Sequence, residues 1–222
     1  IEAVFLTHAH IDHSGMLPKL CKDGFSGPIY ATEATCNLCN IMLRDSAHIQ
    51  ESDAMYANQK GKRAGRPEVE PLYSLVDAEA ALQLLEIGEY GQEIEVCPGV
   101  RISFTDAGHL LGSSCVEVWA TENGVTKKIV FSGDIGNKSQ PLLKEPEMTR
   151  EADYVVMEST YGDRLHEKDH IDVIDEFAKI IRETFFRGGN VVIPAFAVGR
   201  TQVLLYYIRK IKERNLVPEF PN

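Results

Sequence analysis

Short apolar runs and amphipathic stretches alternate along the first third of the chain. Residues 1–7 (IEAVFLT) are apolar, with β-branched and aromatic members, and predict a buried strand. A helical pattern over residues 16–22 follows, then a second strand over 27–32. A long, mostly helical stretch runs from 33 to about 59. Residues 60–71 carry Gly61, Gly65, Pro67 and Pro71 and predict a loop, with a short helix after it over 78–85. From residue 93 the period changes. Strands are expected over 94–97, 100–105, 113–120 and 128–132, and Asn123-Gly124 signals a hairpin turn between two of them. A buried strand over 154–158, a helix over 172–186, a strand over 190–194 and a helix over 200–214 complete the pattern. The final β-α alternation suggests the start of a parallel sheet.

Composition narrows this picture. The chain has 222 residues, 44% of them hydrophobic, enough for one sizeable core or one core and the start of another. No apolar run approaches the roughly 20 residues that a membrane span needs, and the first residues carry no export-signal pattern. A net charge of −10 counts against a broad basic surface, although bound divalent cations would cancel several charges locally. Five cysteines form no disulfide framework, and Cys36-x-x-Cys39 falls in a helical pattern, where small buried thiols are common. A reducing cytoplasm is therefore expected.

The chemistry concentrates in His8-Ala9-His10-Ile11-Asp12-His13, at the end of the first strand. Zinc takes neutral imidazole and carboxylate oxygen, and a loop leaving a strand end can fan such side chains towards two neighbouring points. His8 and His10 can serve one metal, and Asp12 and His13 a second. Packed there without metals, the four polar groups would leave several needing partners. His109, in DAGHLLGS after another strand, is taken as the third histidine of the first metal. Asp134, in FSGDIG after a third strand, could bridge both metals.

These elements resemble the metallo-β-lactamase superfamily: H-x-H-x-D-H, then a lone His, then an Asp, each after a strand. Two later segments, Glu158-Ser-Thr-Tyr-Gly-Asp-Arg164 and GGNVVIPAFAVGR ending at Arg200, resemble its β-CASP branch, which contains nucleases that process RNA or repair DNA. The stretch DSAHIQE (45–51) is similar to the single-chain prokaryotic RNA-processing group. The resemblance implies an α/β fold, the αββα sandwich, over residues 1–160 with its N-terminal strands missing, and an incomplete β-CASP domain over 161–222. It implies His8, His10 and His109 on a first zinc, Asp12 and His13 on a second, and Asp134 bridging. It places Glu158 near the leaving group or bound water, paired with a later histidine. No histidine follows His170, so the chain is expected to be a fragment cut at both ends with an incomplete second metal site. His166 and His170 lie in a charged stretch and read as solvated.

The expected reaction is two-zinc hydrolysis, in which an activated water attacks phosphorus in line. Asp12 would accept the water's proton and Glu158 would assist the leaving oxygen. RNA is the expected partner, with single-stranded DNA left open. No membrane is expected, and a homodimer is left open. Arg200 before a helix is either a phosphate seat or part of a tight β-α turn. Lys60, Lys62, Arg63 and Arg66 form a dense basic run that reads first as a solvated loop and second as a nucleic-acid contact. A thioester or lactam hydrolase, or a non-catalytic scaffold subunit of an RNA-processing complex, are the rival functions.

Overall fold

The computed structural model describes residues 1–63, 65–164 and 172–218. His166 and His170 lie outside the described residues. The chain divides into two compact units, Ile1–Glu158 and Ser159–Asn222, each considered by itself.

The first unit holds two sheets. The strands β1 (Val4–Phe5), β2 (Ile29–Ala31) and β3 (Leu85–Ile87) form a parallel three-stranded sheet in that order. The strands β4 (Ile94–Cys97), β5 (Val100–Asp106), β6 (Ser114–Glu122), β7 (Val125–Phe131) and β8 (Tyr154–Val156) form the other. Its pairs are antiparallel except β7–β8. Alternation along β5 and β6 sends Ile102, Phe104, Val116 and Val118 to one face, where Phe5 and Tyr30 of the smaller sheet pack against them. The hairpin between β6 and β7 turns at Asn123 (φ 51°) and Gly124 (φ 79°), the two positive φ values of a type I′ turn.

Helices α2 (Leu17–Lys22), α3 (Glu33–Arg63) and α4 (Leu75–Leu82) cover the three-stranded sheet. Their buried face includes Leu17, Cys39, Leu43, Ala47, Ala78 and Leu82, packed with Ile29 and Ala31. Cys36 and Cys39 belong to this packing. Burial raises their thiols to about 11 and about 12, so both stay protonated and inert, as expected of structural cysteines. Ser74 caps α4 through a reciprocal box with Asp77. Among the described residues no helix is long and apolar enough to cross a membrane.

In the second unit, α5 (Val173–Phe186) and α6 (Arg200–Glu213) pack around Ala178, Ile181 and Ile211. Asp172 caps α5 by accepting the Ile174 and Asp175 N–H groups.

Four expectations need correction. The strand over 190–194 does not form: no ladder partner for it exists among the described residues, and Val192 is left 87% exposed. The parallel sheet expected late in the chain is therefore absent among the described residues. β8 forms but is not buried, because it is the last strand of its sheet and Val155 remains 59% exposed. The basic run is not wholly a loop, since Lys60 and Lys62 sit in the last turns of α3. The strand β3 was not expected, and its first residue, Leu85, falls in the helix expected over 78–85, which ends instead at Leu82. Its short LEI segment becomes a strand by pairing with β2.

Candidate metal centre

The histidine motif leaves β1 and turns at once into α1 (Ile11–Ser14), a single helical turn rather than an open loop. Ser14 is buried at its end, and its hydroxyl donates to the Ala9 and His10 carbonyls at 2.9 and 3.1 Å. That curl brings His13 back over His8, with ring centroids 4.1 Å apart. Thr7, just before the motif, fixes its entry. Its carbonyl accepts the Ser114 N–H at 2.8 Å, which ties the end of β1 to the start of β6. Its hydroxyl stands 3.2 Å from His8 Nδ1, leaving Nε2 to face the cluster.

His109 lies in the turn between β5 and β6. Buried Ser113 holds this turn, its hydroxyl accepting the N–H groups of both His109 and Leu110 at 3.0 Å. Tyr90 adds a hydroxyl bond to the Ser113 carbonyl at 2.8 Å. Asp134 follows β7. Two residues on, the Gly136 N–H donates to the Ala107 carbonyl at 2.8 Å. A Cβ on Gly136 would stand 1.7 Å from the Gly108 carbonyl oxygen. The two ligand-bearing loops thus touch backbone to backbone.

These constraints make four donors converge. One ligand atom each from His8, His10, His109 and Asp134 lies within 4.8 Å of all the others. His10 Nδ1 is 3.1 Å from His8 Nε2 and 3.3 Å from His109 Nε2. Asp134 Oδ2 is 3.6 Å from His8 Nε2 and 3.5 Å from His109 Nε2. Ligands about 2.0–2.1 Å from a tetrahedral zinc stand about 3.3 Å from one another, so the spacing fits. The chemistry of the set fits as well. A single ring nitrogen can share one proton with one partner, yet His10 Nδ1 faces two. His8 is wholly buried. Desolvation, followed by the neighbouring His13, His10 and His109, lowers its pKa from 6.5 to about 3. His10 is lowered too, first by burial and then by His109. Both therefore present the neutral imidazole that a metal takes.

Asp12 and His13 lie outside that group of four but next to it. His13 Nε2 stands 3.3 Å from Asp134 Oδ1 and 3.7 Å from Asp12 Oδ2. The two oxygens of Asp134 therefore face different histidine sets. Exposure rises across the cluster, from 0% at the His8 side chain through 28% at Asp134 to 75% at Asp12, so the site opens on the Asp12 side.

Glu158 lies just beyond β8, and its Oε1 accepts the Ile135 N–H at 2.6 Å, one residue from Asp134. Arg200 is the exposed first residue of α6 in the second unit, after Gly199 at φ 93°. Sequence reasoning passed over Thr7, Ser14, Ser113 and Gly136. Hydroxyls flanking the histidine motif were the available signal for Thr7 and Ser14. Ser113 and Gly136 act across turns, and no local pattern marks them.

The sequence resembles those of known proteins over most of its length. A ribonuclease of Thermus thermophilus, Ribonuclease TTHA0252, is 38% identical over 208 residues, which is 94% of this chain and 43% of that protein. The transcription termination factor FttA of Thermococcus kodakarensis is 34% identical over 215 residues, 95% of this chain and 30% of that factor. The chain thus spans less than half the length of these curated relatives. The solved Rm3 metallo-beta-lactamase aligns at a TM-score of 0.36 and 17% identity, covering 65% of this chain and 45% of that one, a likeness too loose to bear on the site. The family model described as the metallo-beta-lactamase superfamily matches residues 1–182. The chain belongs to the metallo-beta-lactamase superfamily.

Proposed function

We propose that this chain carries the metal centre of a β-CASP-type ribonuclease that hydrolyses RNA phosphodiester bonds in the cytoplasm, with zinc as its metal. The observation that carries the reading is the convergence of His8, His10, His109 and Asp134 within 4.8 Å. The relative named a ribonuclease supports the choice of substrate.

His8, His10 and His109 would hold the first ion. Asp12 and His13 would hold the second, with Asp134 shared between them. When bound, two such ions lower the pKa of the attacking water and take up charge on the phosphoryl oxygens. Asp12, whose side chain is exposed, would accept the water's proton as substrate enters from solvent. Neutral His8 and His10 keep the floor of the site free of competing positive charge. Glu158 bonds the Ile135 N–H, one residue from Asp134, and Arg200, at the start of α6, would offer a phosphate contact. That unit is read as the opening part of the β-CASP domain.

Elemental analysis of the purified chain and of a His8→Ala/His10→Ala variant, with RNA cleavage assayed in parallel, tests this. About two zinc equivalents would mark a largely assembled site, and about one would mean that the second site is incomplete in this chain. The double substitution should remove the first ion and all cleavage. Metal content unchanged in the variant would sink the ligand assignment. Turnover of a thioester or lactam without RNA cleavage would replace the substrate, and metal without any turnover would favour a scaffold.

A further inference from the structure

Glu158 is bound to the Asp134 loop at two points. Its carboxylate Oε1 accepts the Ile135 N–H at 2.6 Å, and its own N–H donates to Ser132 Oγ at 3.1 Å. The Ser132 N–H in turn donates to the Val156 carbonyl at 2.9 Å, at the end of β8. Ser132 and Ile135 lie two residues before and one after Asp134, so Glu158 grips that loop on both sides. From the opposite flank the loop is bound by the Gly136 N–H to the Ala107 carbonyl. A carboxylate accepting a backbone N–H makes a charge-assisted bond, stronger than a neutral one.

We infer that Glu158 is a positioning residue for Asp134: it clamps the loop so that the Asp134 oxygens face the His8–His109 side and the His13 side at once. The inference rests on the metal-centre reading above and assigns Glu158 a task distinct from assisting a leaving group. The bond uses Glu158 as an acceptor only. A glutamine keeps an acceptor oxygen at the same place, whereas alanine removes it. A group acting as an acid at the leaving oxygen has the opposite requirement, because an amide cannot replace its proton.

The test uses the 222-residue chain, stripped with chelator and titrated with Zn2+ against a chromophoric competitor. Wild type, Glu158→Ala and Glu158→Gln are compared, with folding checked by circular dichroism. Loss of an outer-shell partner typically costs about 10–100-fold in metal affinity. Glu158→Ala should lose that much, and Glu158→Gln should stay within a few-fold of wild type. Hydrogen exchange at the Ile135 amide, read on metal-free protein, should speed up in the alanine variant and not in the glutamine variant. Equal losses in both variants, or no loss in alanine, would overturn the clamp. Failure of the wild type to bind zinc would instead overturn the metal reading, and the Ile135 exchange rates would still decide whether the clamp exists.

Discussion

The His8–His13 turn and the segment from Gly188 to Arg200 both stand out in the sequence, yet the structure treats them differently. The first leaves a paired strand, and the Ser114 N–H to Thr7 carbonyl bond with the Gly136 N–H to Ala107 carbonyl bond holds the β5–β6 and post-β7 loops beside it, so that His109 and Asp134 reach it from about 100 and 120 residues away in the chain. The second has no ladder partner among the described residues, and Val192 and Phe196 are 87% and 84% exposed. A motif marks where chemistry can happen, and strand pairing decides whether the remaining residues arrive.

Packing should show the contrast most strongly. Phe104 is wholly buried between the sheets, and Phe104→Ala should cost about 3–5 kcal/mol. Phe196→Ala should stay within about 0.5 kcal/mol, as an exposed side chain. Trp119, the sole tryptophan, lies on β6, so its fluorescence during urea unfolding follows the first unit alone. Amide exchange in α5 and α6 reads the second unit, and a large loss from Phe196→Ala there would erase the distinction.

A pH titration of chelator-treated protein gives a middle-sized effect confined to the histidine site. Folded His8 stays neutral down to about pH 3, whereas an unfolded histidine takes its proton near 6.5. The unfolded state therefore binds more protons between those values, and stability falls as pH drops from 6.5 towards 3. Lowered His10 adds in the same direction. The urea midpoint should decline across that window in wild type and more gently in His8→Ala. A midpoint flat with pH would argue that His8 is not desolvated.

Helix caps should give the smallest effect and no contrast. Ser74 caps α4 in the first unit and Asp172 caps α5 in the second. Replacing either with alanine should cost about 1 kcal/mol, measured as faster amide exchange in its own first turn. A clearly unequal pair would mean that the units differ in local helix stability as well as in strand pairing.

What could be read in advance follows the same division. The histidine motif, the longer helices and the Asn123-Gly124 hairpin are written in neighbouring residues and were legible, whereas the single turn α1 was not. His109 and Asp134 were legible only once the first motif gave them a context, since a lone histidine or a Gly-Asp turn is common. β3, the exposure of β8 and the missing strand over 190–194 depend on partners distant in the sequence, or lacking among the described residues, which no local window contains. The bond from Glu158 to Ile135 spans 23 residues and hangs on the end of β8. Its carboxylate suggested acid chemistry, while the geometry gives it a backbone partner.

Gly136, finally, bears on how this site can vary. Surface loops ordinarily absorb insertions and substitutions with little consequence. Here even one added carbon at Gly136 would meet the Gly108 carbonyl oxygen at 1.7 Å. The separation of His109 from Asp134 is thus gauged by main chain against main chain, out of reach of side-chain repacking. A side chain at Gly136 would therefore displace both loops at once, and the metal-ligand spacing with them.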